Sequence, residues 1–185
     1  LYRVPLTGLV RKPWLPTPRS KTQPYLPAPY PGTATGQIDA GSASLANSLI
    51  SATWQEEAGH WGLRDAENLL TGTSLGLNSS APLFELTLAD GTLLRSTDFT
   101  LIEGPILQEL AKNPSAQRYY DEQAGKQLSM QFVSASTGLE LQWRAELRDG
   151  AHFIRQFVEI SNPSANPLTH SSVSLVSMET PDFNV

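Results

Sequence analysis

From Leu139 to Leu147 the chain alternates strictly: Leu139, Leu141, Trp143, Ala145 and Leu147 are apolar, while Glu140, Gln142, Arg144 and Glu146 between them are polar. That period of two is the signature of a β-strand with one buried face, and it excludes an amphipathic helix over the same residues. Asp149-Gly150 follows, a dipeptide suited to a type I′ hairpin turn. A two-residue turn sets Leu147 opposite His152, Ala145 opposite Ile154, Trp143 opposite Gln156, Leu141 opposite Val158 and Leu139 opposite Ile160 on the core side. The other side then pairs Glu146 with Phe153, Arg144 with Arg155, Gln142 with Phe157 and Glu140 with Glu159. Two of these are like-charge pairs, which destabilise when directly opposed. Either this register is wrong or the face carrying Arg144, Phe153, Arg155 and Phe157 meets a neutralising partner, in which case these four are the expected domain interface; a plainly solvated face is the remaining alternative.

Short strands and frequent turns run through the rest of the chain from Ala43 onward. Strands are expected at Leu49–Gln55, Trp61–Ala66, Ser74–Leu77, Phe84–Ala89, Thr92–Ser96, Leu128–Ser134, Leu139–Arg148, Ala151–Ser161 and Ser171–Met178. Asp90-Gly91 marks a second tight hairpin, and Asn162-Pro163 and Asn166-Pro167 punctuate the C-terminal part. One helix is expected, Pro105–Lys112, with proline in its first turn and Asn113-Pro114 closing it. The fold class is thus all-β, an antiparallel sandwich with one short helix.

Residues 1–42 read differently. Eight of the 14 prolines fall in the first 31 residues, and each removes a backbone donor and restrains the residue before it. This segment is expected to be an extended arm or linker, and residues 43–185 the β-domain. Trp14, Tyr25 and Tyr30 argue for packing, because mobile linkers are poor in aromatics.

The run WRAELRDGAHFIRQFVEISN, with LRDAENLLTGTSLGLNSSAPLFELTLADGTLLRSTDF before it, resembles the N-terminal β-sandwich of retaining α-glycosidases of the α-galactosidase and α-glucosidase clan. That module is a galactose mutarotase-like supersandwich, and the similar segments cover residues 48–185. The resemblance implies a non-catalytic module of a secreted or periplasmic bacterial glycoside hydrolase, preceding a catalytic (β/α)8 barrel in the same polypeptide. Its work there is to support the barrel and shape the rim of the sugar pocket. The family's sandwich is larger, so further strands are expected beyond Val185.

Composition narrows the partners. The chain of 185 residues carries a net charge of −5, with 17% charged residues and no cysteine. Thiolate chemistry is excluded, and a mildly acidic chain is a poor match for a nucleic-acid backbone. No apolar run is long enough to span a bilayer. A neutral partner fits this composition, and the resemblance implies that it is an oligosaccharide.

No catalytic residue is assigned. Retaining glycoside hydrolysis needs two carboxyl groups about 5–5.5 Å apart, and the adjacent Glu56 and Glu57 point to opposite faces of a strand. His60, His152 and His170 form no metal-binding spacing, and neither a metal nor a cofactor is expected. A mutarotase-like His–Glu pair is the enzymatic alternative, but His152 and Glu159 have opposite parity; His170 with Glu179 is left. Asn78-Ser79-Ser80 fits a glycosylation sequon. The candidate sugar contacts are aromatic: Trp54 and Trp61, bracketing the Gln55–His60 stretch, and Tyr119 and Tyr120 in a polar segment. Trp143 belongs to the core by its parity. A free-standing carbohydrate-binding module is the principal alternative to a barrel-supporting one.

Overall fold

The computed structural model describes residues 29–77, 80–163 and 170–175, with backbone only at 170 and 171. Most of the proline-rich segment, the sequon residues Asn78 and Ser79, and Glu179 lie outside these. In chain order the strands are β1 (Thr35–Asp39), β2 (Ser42–Ala46), β3 (Ile50–Glu57), β4 (His60–Asn68), β5 (Thr73–Ser74), β6 (Ala81–Pro82), β7 (Phe84–Leu88) and β8 (Leu93–Arg95). After a 3-10 turn at Ser96–Asp98 come β9 (Thr100–Leu110), the short helix α1 (Tyr119–Glu122), β10 (Gly125–Val133), β11 (Glu140–Arg148), β12 (Arg155–Ser161) and β13 (His170–Leu175).

All pairings among the described strands are antiparallel, in three sheets. One runs β1-β2-β3-β4-β5 with β6 also on β4, a second runs β12-β11-β10-β9, and a third runs β13-β7-β8. The β1–β2 hairpin straddles the boundary expected at residue 42, so Thr35 onward already belongs to the first sheet.

Period-two patterning builds one core. Ala43 and Leu45 of β2, Ala52 and Trp54 of β3, Phe84, Leu86 and Leu88 of β7, Leu128, Met130 and Phe132 of β10, and Leu141 to Leu147 of β11 all turn their apolar side chains inward. Aromatic edges join the sheets across it. Trp54 and Trp143 meet edge-to-face at 5.3 Å, and Phe84 meets Phe99 at 5.3 Å and Phe132 at 5.7 Å. The Asp90-Gly91 hairpin forms as expected, with the Leu88 N–H bonded to the Thr92 carbonyl at 2.8 Å.

Two expectations are corrected. First, β11 and β12 pair two residues out of the expected register: Trp143 faces Val158, Arg144 faces Phe157, Glu146 faces Arg155, Gln142 faces Glu159 and Glu140 faces Ser161. Gly150 takes a positive φ of 73° but Asp149 does not, so no type I′ turn forms. Long-range bonds claim the turn instead. The Asp149 carboxylate accepts the Ala34 N–H at 2.8 Å, the Gly150 N–H reaches the Gly32 carbonyl, and Asn47 Nδ2 donates to the Ala151 carbonyl. Residues 151–154 consequently leave the ladder, which resumes at Arg155. A shift of two preserves every residue's face, and the like-charge pairs vanish.

Second, Pro105–Lys112 is no helix. Residues 100–110 form the edge strand β9, with Leu101 and Leu107 packed against the core. Pro105 sits where the β9–β10 register slips, beside Gly104 at φ 104°. An edge bulge is where a strand tolerates a residue without an N–H. The helix among the described residues is α1, fourteen positions downstream of Pro105.

Close backbone approach at the start of β10 supplies a direct test. A Cβ on Gly125 would run into the Leu147 carbonyl oxygen and sit 2.9 Å from the Arg148 Cα. Gly125→Ala is expected to cost about 1–3 kcal/mol, read as a lower urea midpoint with an unchanged slope. An unaltered midpoint would contradict the β10–β11 register.

Candidate functional site

The outward face of the β9–β12 sheet is built from the residues that alternate with the core. Register places them in cross-strand rows: Gln108, Gln127, Glu146 and Arg155; Ile106, Ser129, Arg144 and Phe157; Glu103, Gln131, Gln142 and Glu159. Gln127 donates to the Gln108 side-chain oxygen at 3.1 Å. Although they point away from the core, Gln127 and Ser129 are only 8% and 6% exposed, so the middle of this face is sunken between its neighbours. Two adjoining hollows of about 200 and 140 Å³ lie on it, and Gln131 and Gln142 line both. The result is a shallow groove of amides and carboxylates, with lysine absent from its lining.

At one corner the face becomes aromatic. Arg155 is ion-paired with Asp121 of α1 and lies over Phe153 at 5.8 Å and Phe157 at 6.0 Å. Arg144 lies over Phe157 at 5.7 Å and stands 3.6 Å from Glu159. Tyr120 meets Phe153 edge-on at 5.0 Å and Tyr119 at 5.3 Å. The four residues expected at an interface and the two tyrosines expected at a sugar site thus form one cluster. Burial, then the neighbouring Tyr30, Tyr120 and Glu122, raise the Tyr119 phenol above its ordinary pKa. Tyr30 lies over Gly150, and with Phe153 it is the open part of the corner, at 61% and 40% exposure. The charges here are matched within the chain, which removes the electrostatic reason for a neutralising partner.

The other two aromatic candidates are not surface platforms. Trp54 is fully buried and Trp61 is 5% exposed, both in the hydrophobic core. A strand's inward parity claims them, as it claims Trp143. Glu57 accepts the Ser80 N–H at 3.2 Å and lies 3.9 Å from Arg64. His152 precedes β12, and it and Glu159 line different cavities. No cluster of three metal-ligating side chains occurs among the described residues, and no helix among them is long and apolar enough to cross a membrane.

A separate cleft of about 580 Å³ opens between β3–β5 and residues 152–156, with Trp54, Leu63 and Leu75 along one side and His152 and Ile154 along the other. It owes its second wall to the excursion of residues 151–154 from the hairpin. Its β5 rim is fastened by Asp65, whose carboxylate accepts bonds from the Ser74 hydroxyl at 2.6 Å and the Gly76 N–H at 3.1 Å. Burial pushes the Asp65 carboxyl up, but these bonds, the Ala66 N–H and nearby Arg64 outweigh it and hold the pKa below its ordinary value.

Comparison with models of known protein families, with curated proteins and with solved structures returns no match.

Proposed function

We propose that this chain is a non-catalytic β-sandwich module that binds a neutral oligosaccharide along the outward face of the β9–β12 sheet, within a glycoside hydrolase resembling the α-galactosidases. The observation that carries the reading is the groove shared by Gln131 and Gln142, which face each other across β10 and β11. Side-chain amides both donate and accept, as vicinal hydroxyls do, and carboxylates of Glu103, Glu140 and Glu159 add acceptors around them. Phe157 lies one row away, under Arg144 and Arg155, and holds those arginines beside the groove. A protein-docking core is depleted in such glutamates. On the same resemblance the module works outside the cytoplasm, secreted or periplasmic.

The aromatic corner favours a second role for the same module, packing on a catalytic barrel. Exposed Tyr30 and Phe153, beside a fixed arginine, have the composition of an interface anchor.

Calorimetric titration with galacto- and gluco-oligosaccharides tests the first reading. One series is expected to bind, with affinity nearly independent of salt because the contacts are not ion pairs. Gln142→Ala is expected to weaken it about tenfold, the equivalent of roughly one net hydrogen bond to a polar ligand. If neither series gives heat, or Gln142→Ala binds like the parent, the saccharide reading fails and barrel support is the role that stands.

A further inference from the structure

We propose that the 580 Å³ cleft beside His152 is a second ligand site, which takes a small neutral aryl alcohol. It shares no lining residue with the groove on the β9–β12 face, and its size falls in the range of small-molecule sites, about 300–1,000 Å³.

Three features select the ligand class. The lining is mixed: Ile50, Leu63 and Leu75 on the strand side face Ile154, which suits a flat hydrocarbon ring, and Ser51, Asn68, Thr71, Thr73, Ser74 and Gln156 lie among them. Glu67 is its one charged side chain, and neither lysine nor arginine contributes, so an anionic ligand would meet repulsion and no counter-charge. Three polar atoms in the walls lack partners: Trp54 Nε1 and both ring nitrogens of His152 are buried with no hydrogen bond among the described residues. An unpaired buried donor or acceptor is costly, and native structures rarely keep several together.

A single hydroxyl can accept from the Trp54 N–H and pair with one ring nitrogen of His152. His152 lines the cleft and is itself only half-buried, and a half-turn about its Cβ–Cγ bond would exchange the two nitrogens with Cδ2 and Cε1. A pyranose fits the same space less well. Fully buried Trp54 presents no open ring face for a sugar to stack on.

The test is an NMR titration of the ¹⁵N-labelled chain with 4-methylphenol and, separately, with methyl α-galactopyranoside. 4-Methylphenol is expected to give saturable one-to-one shifts at the His152 ring nitrogens and the Trp54 indole N–H. Exposed His60, and buried Trp61, neither of which lines the cleft, are expected to stay still. His152→Phe keeps the ring and removes the nitrogens, and is expected to weaken binding about tenfold; Ala66→Leu narrows the cleft from the other wall and is expected to weaken it independently. Absence of saturable shifts overturns the proposal, as does stronger binding of the galactoside at these signals or undiminished binding in both variants. Because the oligosaccharide titration reads Gln142 on another face, failure here leaves that reading intact, and the reverse.

Discussion

Trp143→Ala is expected to lower the unfolding free energy by about 3–5 kcal/mol, the range for deleting a large buried aromatic. Trp143 is fully buried at the centre of β11, and its ring is the edge-to-face partner of Trp54 from the opposite sheet. Alanine therefore removes contacts to both sheets and leaves a cavity that β-strands, pinned by their ladders on either side, cannot collapse to fill. It also strands the Gln156 Oε1 that accepts from the indole N–H. Trp143→Phe separates the two contributions, since it restores most of the volume but not the donor; about 1–2 kcal/mol of loss is expected for it. Urea unfolding followed by far-UV circular dichroism measures both. A loss under about 1 kcal/mol for alanine would mean that the two sheets do not share the core that this pair joins.

What the sequence discloses and what it conceals divide along the range of the forces involved. Strand faces are local. The alternation through Leu139–Leu147 assigns the inward and outward sets of β11, and an even register shift leaves that assignment untouched. Register is not local: it was decided by Asp149 bonding Ala34 and Asn47 bonding Ala151, partners 115 and 104 residues apart. No turn propensity at Asp149-Gly150 carries that information. The mistaken helix at Pro105 has a similar origin. Proline at the front and Asn-Pro at the back are punctuation common to a helix and to a bulged edge strand, and only pairing with β10 separates them.

The site was legible in pieces. Arg144, Phe153, Arg155 and Phe157 share a face by parity, whereas Tyr119 and Tyr120 reach them through α1 and the Arg155–Asp121 ion pair, which spans 34 residues. Trp54 and Trp61 misled because a tryptophan beside a polar turn looks like a sugar platform until its parity is followed into the core. The amide groove went unread, although Gln127, Ser129 and Gln131 alternate with Leu128, Met130 and Phe132 in plain view. Outward glutamines look solvated one strand at a time, and become a groove only when β9, β10 and β11 align them.

Asn47→Ala is expected to cost about 3 kcal/mol despite removing few atoms, because one buried side chain serves three backbone groups. Its oxygen accepts the N–H groups of Leu49 and Ile50 at 2.9 and 3.1 Å, and its Nδ2 donates to the Ala151 carbonyl at 2.8 Å. Alanine leaves two donors and an acceptor to find new partners at a position that is 8% exposed. Each buried group left unsatisfied costs roughly 1–3 kcal/mol, with relaxation and water recovering part of the sum. The effect should also be directional. Asn47 is the tie that draws Ala151 out of the β11–β12 ladder toward the β2–β3 turn, so its loss frees the strand-side anchor of the segment that walls the cleft. Amide hydrogen exchange is expected to accelerate at His152–Ile154 more than at Leu141–Ala145, and 4-methylphenol affinity is expected to fall although Asn47 does not line the cleft. Uniform acceleration across β11 and the loop would show that Asn47 acts on global stability alone, and that the cleft wall is held by something else.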